Sequence, residues 1–406
     1  MQGSQASTYH VRRVALDQLE PSIPARYYYD PPHYQRELEV FWYRMWVMAG
    51  REEEVPEPRD YKVIKIGTQS IVILRDLDGQ LRAFHNTCRH RGSILCTEEQ
   101  GRLPGRRLVC PYHTWTYSLD GQLVATPRQM ETPGFDRADY PLFKVALATW
   151  GGFMFVNLAG DQAAPLSHAL GDVPERFKNY GFADLRIGKR IVLDVKANWK
   201  LLFENFSECF HCPPVHPELC EIATLFWEAG AWGLHTDDAG NPLKSARPRY
   251  KAGAATLTMD GTARIPPFKG LSDEERANLY QSQTLRPNFF LNVHPDYVNS
   301  HQMLPTGPES VRMIYDWLFE PESLTHPAFD LDHYVALWDL TNRQDARNTE
   351  WQQEGLHARP LAHGNFVPQE SGCHQFNQWV LESLGEVEGP PRRDSGNGGG
   401  GMTGMG

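Results

Sequence analysis

The chain has no run of about 18 apolar residues, the length a helix needs to cross a bilayer. Its first twenty residues, MQGSQASTYHVRRVALDQLE, hold no apolar core of the secretory kind. The expectation is a cytoplasmic protein that does not span a membrane. Positive charge is also scarce: 40 Lys and Arg stand against 50 Asp and Glu, a formal net charge of -10. A protein whose main partner is nucleic acid shows a basic footprint, so that class is excluded. There is no GxGxxG set framed by a strand and a helix, and no flavin signature, so hydride chemistry would need a separate protein. Cysteines are few and odd in number, seven in 406 residues. Four of them crowd near histidines, which in an intracellular chain points to metal or reactivity ahead of disulfides.

What is present suggests two to three domains, at about 150 residues each. Residues 1–42 read as a lead-in region with one helix, because Tyr34, Leu38, Phe41 and Trp42 repeat at helical spacing. Residues 43–160 read as a small all-β unit. Stretches such as YKVIKIGTQSIVILRDLDGQLRAFHN alternate β-branched and polar residues, and Asp78-Gly79 and Asp120-Gly121 mark two hairpin turns. Residues 161–385 mix helices and strands, giving an α+β chain. Residues 386–406 are Gly-rich without periodicity and read as a disordered tail.

Two loops in the β unit carry the first chemistry. Cys88-x-His90 is followed, after nineteen intervening residues, by Cys110-x2-His113. Two thiolates and two imidazoles are a four-ligand set, and zinc is the competing occupant. The one-residue gap of the first pair is tighter than zinc pairs favour, and Cys precedes His in both loops. One iron can then take both sulfurs and another both nitrogens, the Rieske [2Fe-2S] arrangement. Gly92, Pro111 and Gly121 are expected to turn backbone amides towards the cluster, with Trp115 and Tyr117 shielding it. Cys96 reads as a buried thiol.

The second constellation is NWKLLFENFSECFHCPPVHPELC. Helical spacing places Trp199, Leu202, Phe203, Phe206 and Phe210 on one face, with Glu204, Glu208 and His211 on the other. Pro213 and Pro214 are expected to end this helix, and His216 follows on its exit. Two histidines with one carboxylate form the facial triad of ferrous oxygenases. Zinc remains open here too, since Cys209, Cys212 and Cys220 interleave with the histidines; for iron, those thiols should point away. In HYVALWDLTNRQDARNTEWQQEGL the stripe Tyr334, Leu337, Trp338, Thr341 and Asp345 sets an acid among core positions. A buried carboxylate needs a partner, either a metal or an arginine such as Arg343 or Arg347. Asp339 and Glu350 lie off the stripe.

With CRHRG, CPYHTWTYSLDG, the histidine pair and a distant Asp, residues 40–384 resemble the α subunit of Rieske non-haem iron oxygenases. The resemblance implies a Rieske domain and a helix-grip catalytic domain, a curved antiparallel sheet around a long helix. It further implies a head-to-tail homotrimer, in which a carboxylate three residues before the first iron histidine bridges the cluster of one subunit to the iron of the next. That position is Glu208. Ring dioxygenases usually carry Asp there; Glu in NFSECFHCPPVHP, together with WDLTNRQD and FVPQESGCHQFNQWV, is similar to the choline, carnitine and glycine betaine monooxygenase and stachydrine demethylase branch.

The reaction so implied draws NAD(P)H electrons through a separate flavin and iron-sulfur reductase to a cluster on Cys88, His90, Cys110 and His113. Iron on His211, His216 and Asp345 then uses dioxygen on a small molecule, with Glu208 coupling the centres. A quaternary ammonium substrate would be held by aromatic faces, for which Phe203, Trp227, Trp232, Tyr250, Tyr297 and Trp317 are candidates that core packing explains equally well. An aromatic-ring dioxygenase and a non-catalytic Rieske electron carrier are the alternatives.

Overall fold

The computed structural model describes residues 15–231 and 248–386. Its β unit follows from two-sided strands. Asp60–Ile66 pairs antiparallel with Gln69–Arg75, which pairs with Leu81–His85, while Gln100–Arg102 closes the other edge. Side chains alternate across such strands. Tyr61, Val63, Val72, Leu74 and Phe84 therefore fill a small core that contains Cys88 and Cys110. Ile64, Ile66, Ile71, Ile73 and Ala83 point the other way and join the large core of the chain. The sheet thus carries the cysteine loops on one face and is anchored by the other.

Both expected hairpin turns form. Asp76 accepts the amides of Asp78 and Gln80, and Gly79 takes φ +80°. Gly121 also has a positive φ, and a Cβ there would lie 2.5 Å from the ring of Phe84, so both space and backbone demand glycine. Its amide donates to the Ser118 carbonyl and that of Gly92 to Cys88 O, so neither turn aims its N–H at a cluster as the sequence suggested.

The larger unit is built on an antiparallel sheet in the order Arg186–Val195, Ser310–Phe319, Val298–Gly307, Phe289–Val293, Gln281–Leu285. A 25-residue helix, Leu331–Gly355, packs against it, started by Asp330 accepting the amide of His333. The helix Trp199–Ser207, capped by Asn198, lies between that helix and Ser371–Leu384. Phe203 stacks on Phe376 with centroids 4.1 Å apart. The helix is shorter than its periodicity predicts. It stops at Ser207, Glu208 is extended, and Phe210 is 44% exposed instead of buried. The cause is local competition for hydrogen bonds: the Glu208 carboxylate accepts the amides of Phe210 and His211, and Ser207 Oγ bonds the Phe203 carbonyl at 2.7 Å. Pro213 and Pro214 do not end this helix but sit in the first turn of the next, Cys212–Val215, where a missing N–H costs nothing.

In the lead-in region Pro31–Glu37 is α-helical and Leu38–Trp42 widens into a π turn. Tyr34, Leu38, Phe41 and Trp42 are buried as their spacing implies. The region docks on the site helix. Glu37, fully buried, accepts from Lys200 Nζ at 2.5 Å and Trp199 Nε1 at 2.7 Å. Residues 387–406, nearly all of the Gly-rich tail, lie outside the described residues.

A buried ionic network joins the two units. Glu54 accepts from Lys62 Nζ at 2.7 and 2.8 Å and also pairs with Arg190, whose guanidinium grips Asp316 in bidentate fashion at 2.7 Å. Burial works against the Glu54 charge, but Lys62 and Arg190 outweigh it and bring its carboxyl down to about 2. Removing one partner of such a network leaves uncompensated charge in a low dielectric. Arg190→Met is expected to destabilise the fold by about 3–5 kcal/mol, measured by denaturant unfolding; a loss under about 1 kcal/mol, the level of a surface pair, would contradict the account.

Candidate metal centres

In the first constellation Cys88 and Cys110 share one small core, and His90 and His113 lie beside each other. Cys88 and Cys110 are buried at 3% and 1% exposure, while His90 is exposed and His113 half-buried. The two rings lie edge to face with centroids 4.7 Å apart. Tight turns make both loops: Gly92 N donates to Cys88 O and Thr114 N to Cys110 O, with Gly92 and Thr114 in the left-handed region. Tyr117, fully buried, places its hydroxyl 3.3 Å from Cys88 Sγ and accepts the amide of Arg89. Trp115 stacks on His90 at 4.9 Å. Burial raises the Cys88 thiol, although the Tyr117 hydroxyl acts in the opposite sense. Sulfur ligands inside and imidazole ligands at the surface fit a [2Fe-2S] group whose two irons have different ligands. Cys96 is buried apart from this set. Asn86 holds its amide at 2.9 Å, and burial pushes its thiol up to about 12.

The second constellation converges more tightly. One ligand atom from each of His211, His216 and Asp345 lies within 4.8 Å of the others, an arrangement able to hold a metal ion. Asp345 Oδ1 is 2.8 Å from His216 Nε2 and 3.4 Å from His211 Nε2. The opposite ring nitrogens are engaged elsewhere. His211 Nδ1 meets Glu208 Oε1 at 2.5 Å, and His216 Nδ1 meets Gln344 Oε1 at 2.8 Å. With Nδ1–H donating in both, both Nε2 atoms are presented to the same point. Asn205 Nδ2 lies 3.3 Å from His211 Nε2.

Electrostatics agree with a cation there. Burial disfavours a charged His211 ring, yet Asp345 and Glu208 outweigh it and push it up to about 10. Burial also opposes the Asp345 charge, and the two imidazoles reverse this, holding its carboxyl well below the usual range. A divalent ion replaces the protons that three such groups would otherwise share. The arginine alternative has no support among the described residues. Arg343 pairs with Asp339 at 3.0 Å, and Arg347 lies over Trp351.

Cys209 and Cys212 line the same cavity as the triad, against the expectation that they would point away, and Cys220 is not among its lining residues. Cys209 and Cys212 are joined in a disulfide, contrary to the expectation of metal or free thiol chemistry. The turn that follows Glu208 brings their Cα atoms to 5.0 Å, within bonding range. Cys220 is fully buried, its thiol raised by burial to about 12.

The triad opens on a cavity lined by Leu202, Phe206, Phe226, Tyr280, Phe290 and Trp338. The aromatics first considered are elsewhere. Phe203, Tyr297 and Trp317 are fully buried core, Tyr250 lines another cavity, Trp227 is 37% exposed, and Trp232 lies outside the described residues. Gln344 was also missed. Its only sequence signal is adjacency to Asp345, which puts it on the next face of the helix.

A β unit with paired Cys-His loops, followed by a sheet-and-helix unit with a two-histidine, one-carboxylate set, defines a Rieske-type non-haem iron oxygenase. The model of the ring hydroxylating alpha subunit catalytic domain matches residues 182–386, and that of the Rieske [2Fe-2S] domain matches 45–138. The chain belongs to the ring hydroxylating alpha subunit family, enzymes that hold a Rieske cluster and a mononuclear iron. It is 28% identical to the glycine betaine monooxygenase oxygenase subunit of Pseudomonas aeruginosa, with 93% of each chain covered. It is also 28% identical to the chloroplastic choline monooxygenase of Beta vulgaris, over 91% of this chain and 78% of that one. The solved quaternary ammonium Rieske monooxygenase CntA in complex with γ-butyrobetaine shares the fold, with a TM-score of 0.69 at 23% identity over 90% of this chain and 96% of that one. Among the described residues no helix is long and apolar enough to cross a membrane.

The Gln344 carboxamide bridges His216 to Glu218, its Nε2 lying 3.3 Å from Glu218 Oε2. Losing such an orienting group costs about 10–100-fold in metal affinity. Gln344→Leu should weaken ferrous or cobaltous binding at this centre by that factor in a metal titration, with the cluster's visible absorption unchanged. Unaltered affinity would show that His216 is held by packing alone.

Proposed function

We propose that this chain is the terminal oxygenase of a multi-component system that hydroxylates or N-demethylates a quaternary ammonium compound of the betaine, choline or carnitine type. Cys88, His90, Cys110 and His113 hold the cluster; His211, His216 and Asp345 hold the iron. When bound, these groups relay electrons and activate dioxygen for insertion into a C–H bond. The observation that carries the reading is the convergence of His211, His216 and Asp345 at an aromatic-lined cavity.

The chain's own residues do the rest. Glu208 fixes His211 through Nδ1 and lies on the side away from Asp345, where a carboxylate can couple this centre to the cluster of a neighbouring subunit. A head-to-tail trimer supplies that neighbour, and the exposed edge of His90 suits such an encounter. Electrons come from NAD(P)H through a separate flavin and iron-sulfur reductase in the cytoplasm. Phe206, Phe226, Tyr280 and Trp338 line the cavity, where rings can attract a cation that has no hydrogen-bond donor, each contact contributing about 0.5–2 kcal/mol. Hydroxylation of an N-methyl group forms an N-hydroxymethyl ammonium ion. Its bond from nitrogen to the hydroxymethyl carbon then breaks, the electron pair staying on nitrogen, to give the demethylated tertiary amine, formaldehyde and a proton.

Relatives named for glycine betaine and choline oxidation, matched along most of their length, support this substrate class over an arene. Glu in place of Asp at position 208 points the same way. Protein, a compatible reductase, NADH and oxygen should release formaldehyde, one equivalent per substrate, from at least one member of a panel of betaines, choline and carnitine. A cis-diol formed from an arene, with no formaldehyde from any ammonium compound, would contradict the assignment.

A further inference from the structure

The cavity above the triad is mostly apolar, and most polar groups that touch it are already engaged. Thr341 Oγ1 donates to Leu337 O at 2.9 Å, and Tyr280 Oη to Asn292 Oδ1 at 3.1 Å. Asn205 and Glu208 serve His211. Two side chains differ. Asn342, 4% exposed, has a buried Nδ2 with no hydrogen-bond partner among the described residues. Tyr315 is 3% exposed, and its phenol makes no hydrogen bond to the described residues. Both line this cavity.

They come from opposite architectural elements. Asn342 sits on the long helix three residues before Asp345, hence on the same side as that ligand. Tyr315 sits on the strand Ser310–Phe319, directly across from His301 of the central strand Val298–Gly307, whose ring it meets edge-on at 4.8 Å. His301 also lines the cavity and is held by Asn299 Oδ1 at 2.6 Å from its Nε2. Burial keeps this imidazole neutral, bringing it down to about 3, so the strand wall adds no cation.

A buried amide donor without a partner is unfavourable unless a ligand supplies the acceptor. A tetraalkylammonium group cannot, because it offers neither donor nor lone pair. We infer that Asn342 and Tyr315 form a polar subsite that donates hydrogen bonds to an oxygen on the short arm of the substrate, carboxylate or hydroxyl, while the aromatic rings take its methylammonium end. The subsite rests on the quaternary ammonium reading and makes it narrower: the substrate carries an oxygen acceptor, and the two donors orient its N-methyl group towards the triad.

Glycine betaine, choline and n-propyltrimethylammonium separate the possibilities, the last having similar size and no oxygen. Binding by calorimetry and kcat/KM by substrate-dependent oxygen consumption are read on protein replete in cluster and iron. The wild type should prefer at least one oxygen-bearing compound to the propyl compound by about tenfold or more. Asn342→Leu and Tyr315→Phe should each erase most of that preference by raising Kd and KM for the oxygen-bearing compound, with little change for the propyl compound. Asn342→Asp tells the two acceptors apart: it repels a carboxylate and retains a hydroxyl. Unchanged melting temperature and visible spectrum establish that each variant is folded. Equal losses for all three compounds, or no preference in the wild type, would overturn the subsite. Absence of any oxygenated product from every ammonium compound would instead overturn the substrate class.

Discussion

The shared carboxylate of Asp345 is the constraint around which the catalytic unit is organised. A charge at that depth is unfavourable unless it is compensated, and here two imidazoles approach one of its oxygens. To supply them the chain breaks a helix that its own periodicity would continue. Glu208 ends the helix by capping the following amides, and the same carboxylate then orients the His211 ring. Two prolines start a new short helix, and His216 leaves it facing Asp345. The long helix contributes Asp345 and, one residue earlier, the amide that fixes His216. One interruption in the backbone thus sets both the metal site and its outer contacts.

The second requirement is that the electron-carrying unit stay registered with the rest. Strands with two buried faces do this: alternate residues fill the cysteine-bearing core and the main core. The Glu54, Lys62, Arg190 and Asp316 network adds directional contacts across the join. Paired charges of this kind favour one geometry over its neighbours, because a slip of the sheet would strand them in a low dielectric.

Much of this was legible in the sequence because it depends on spacing. The Cys-His loops, the hairpins at Gly79 and Gly121, and the buried stripe Tyr334, Leu337, Trp338 and Thr341 that leads to the half-buried Asp345 all follow from local period and turn chemistry. Phe210 was misplaced because periodicity registers apolar residues and not the capping competition of Glu208. The Cys209–Cys212 bond follows from a turn that the helical reading did not contain. Phe226, Tyr280 and Phe290 come from separate segments, and only the tertiary fold gathers them into one wall. His301 lies in a strand buried nearly throughout, where alternation no longer separates a core face from a site face, and Tyr315 stands in a buried row with Val311, Met313 and Trp317 that reads as core.

The account stands on two metal centres of different kind in one chain. Iron and acid-labile sulfide, assayed on anaerobically purified and reconstituted protein, measure this directly. A ratio of about three irons to two sulfides per chain is expected, two irons in the cluster and one at His211, His216 and Asp345. A ratio of about two to two, with the cluster's spectrum intact, would contradict the second centre and leave an electron carrier without an oxygenase site.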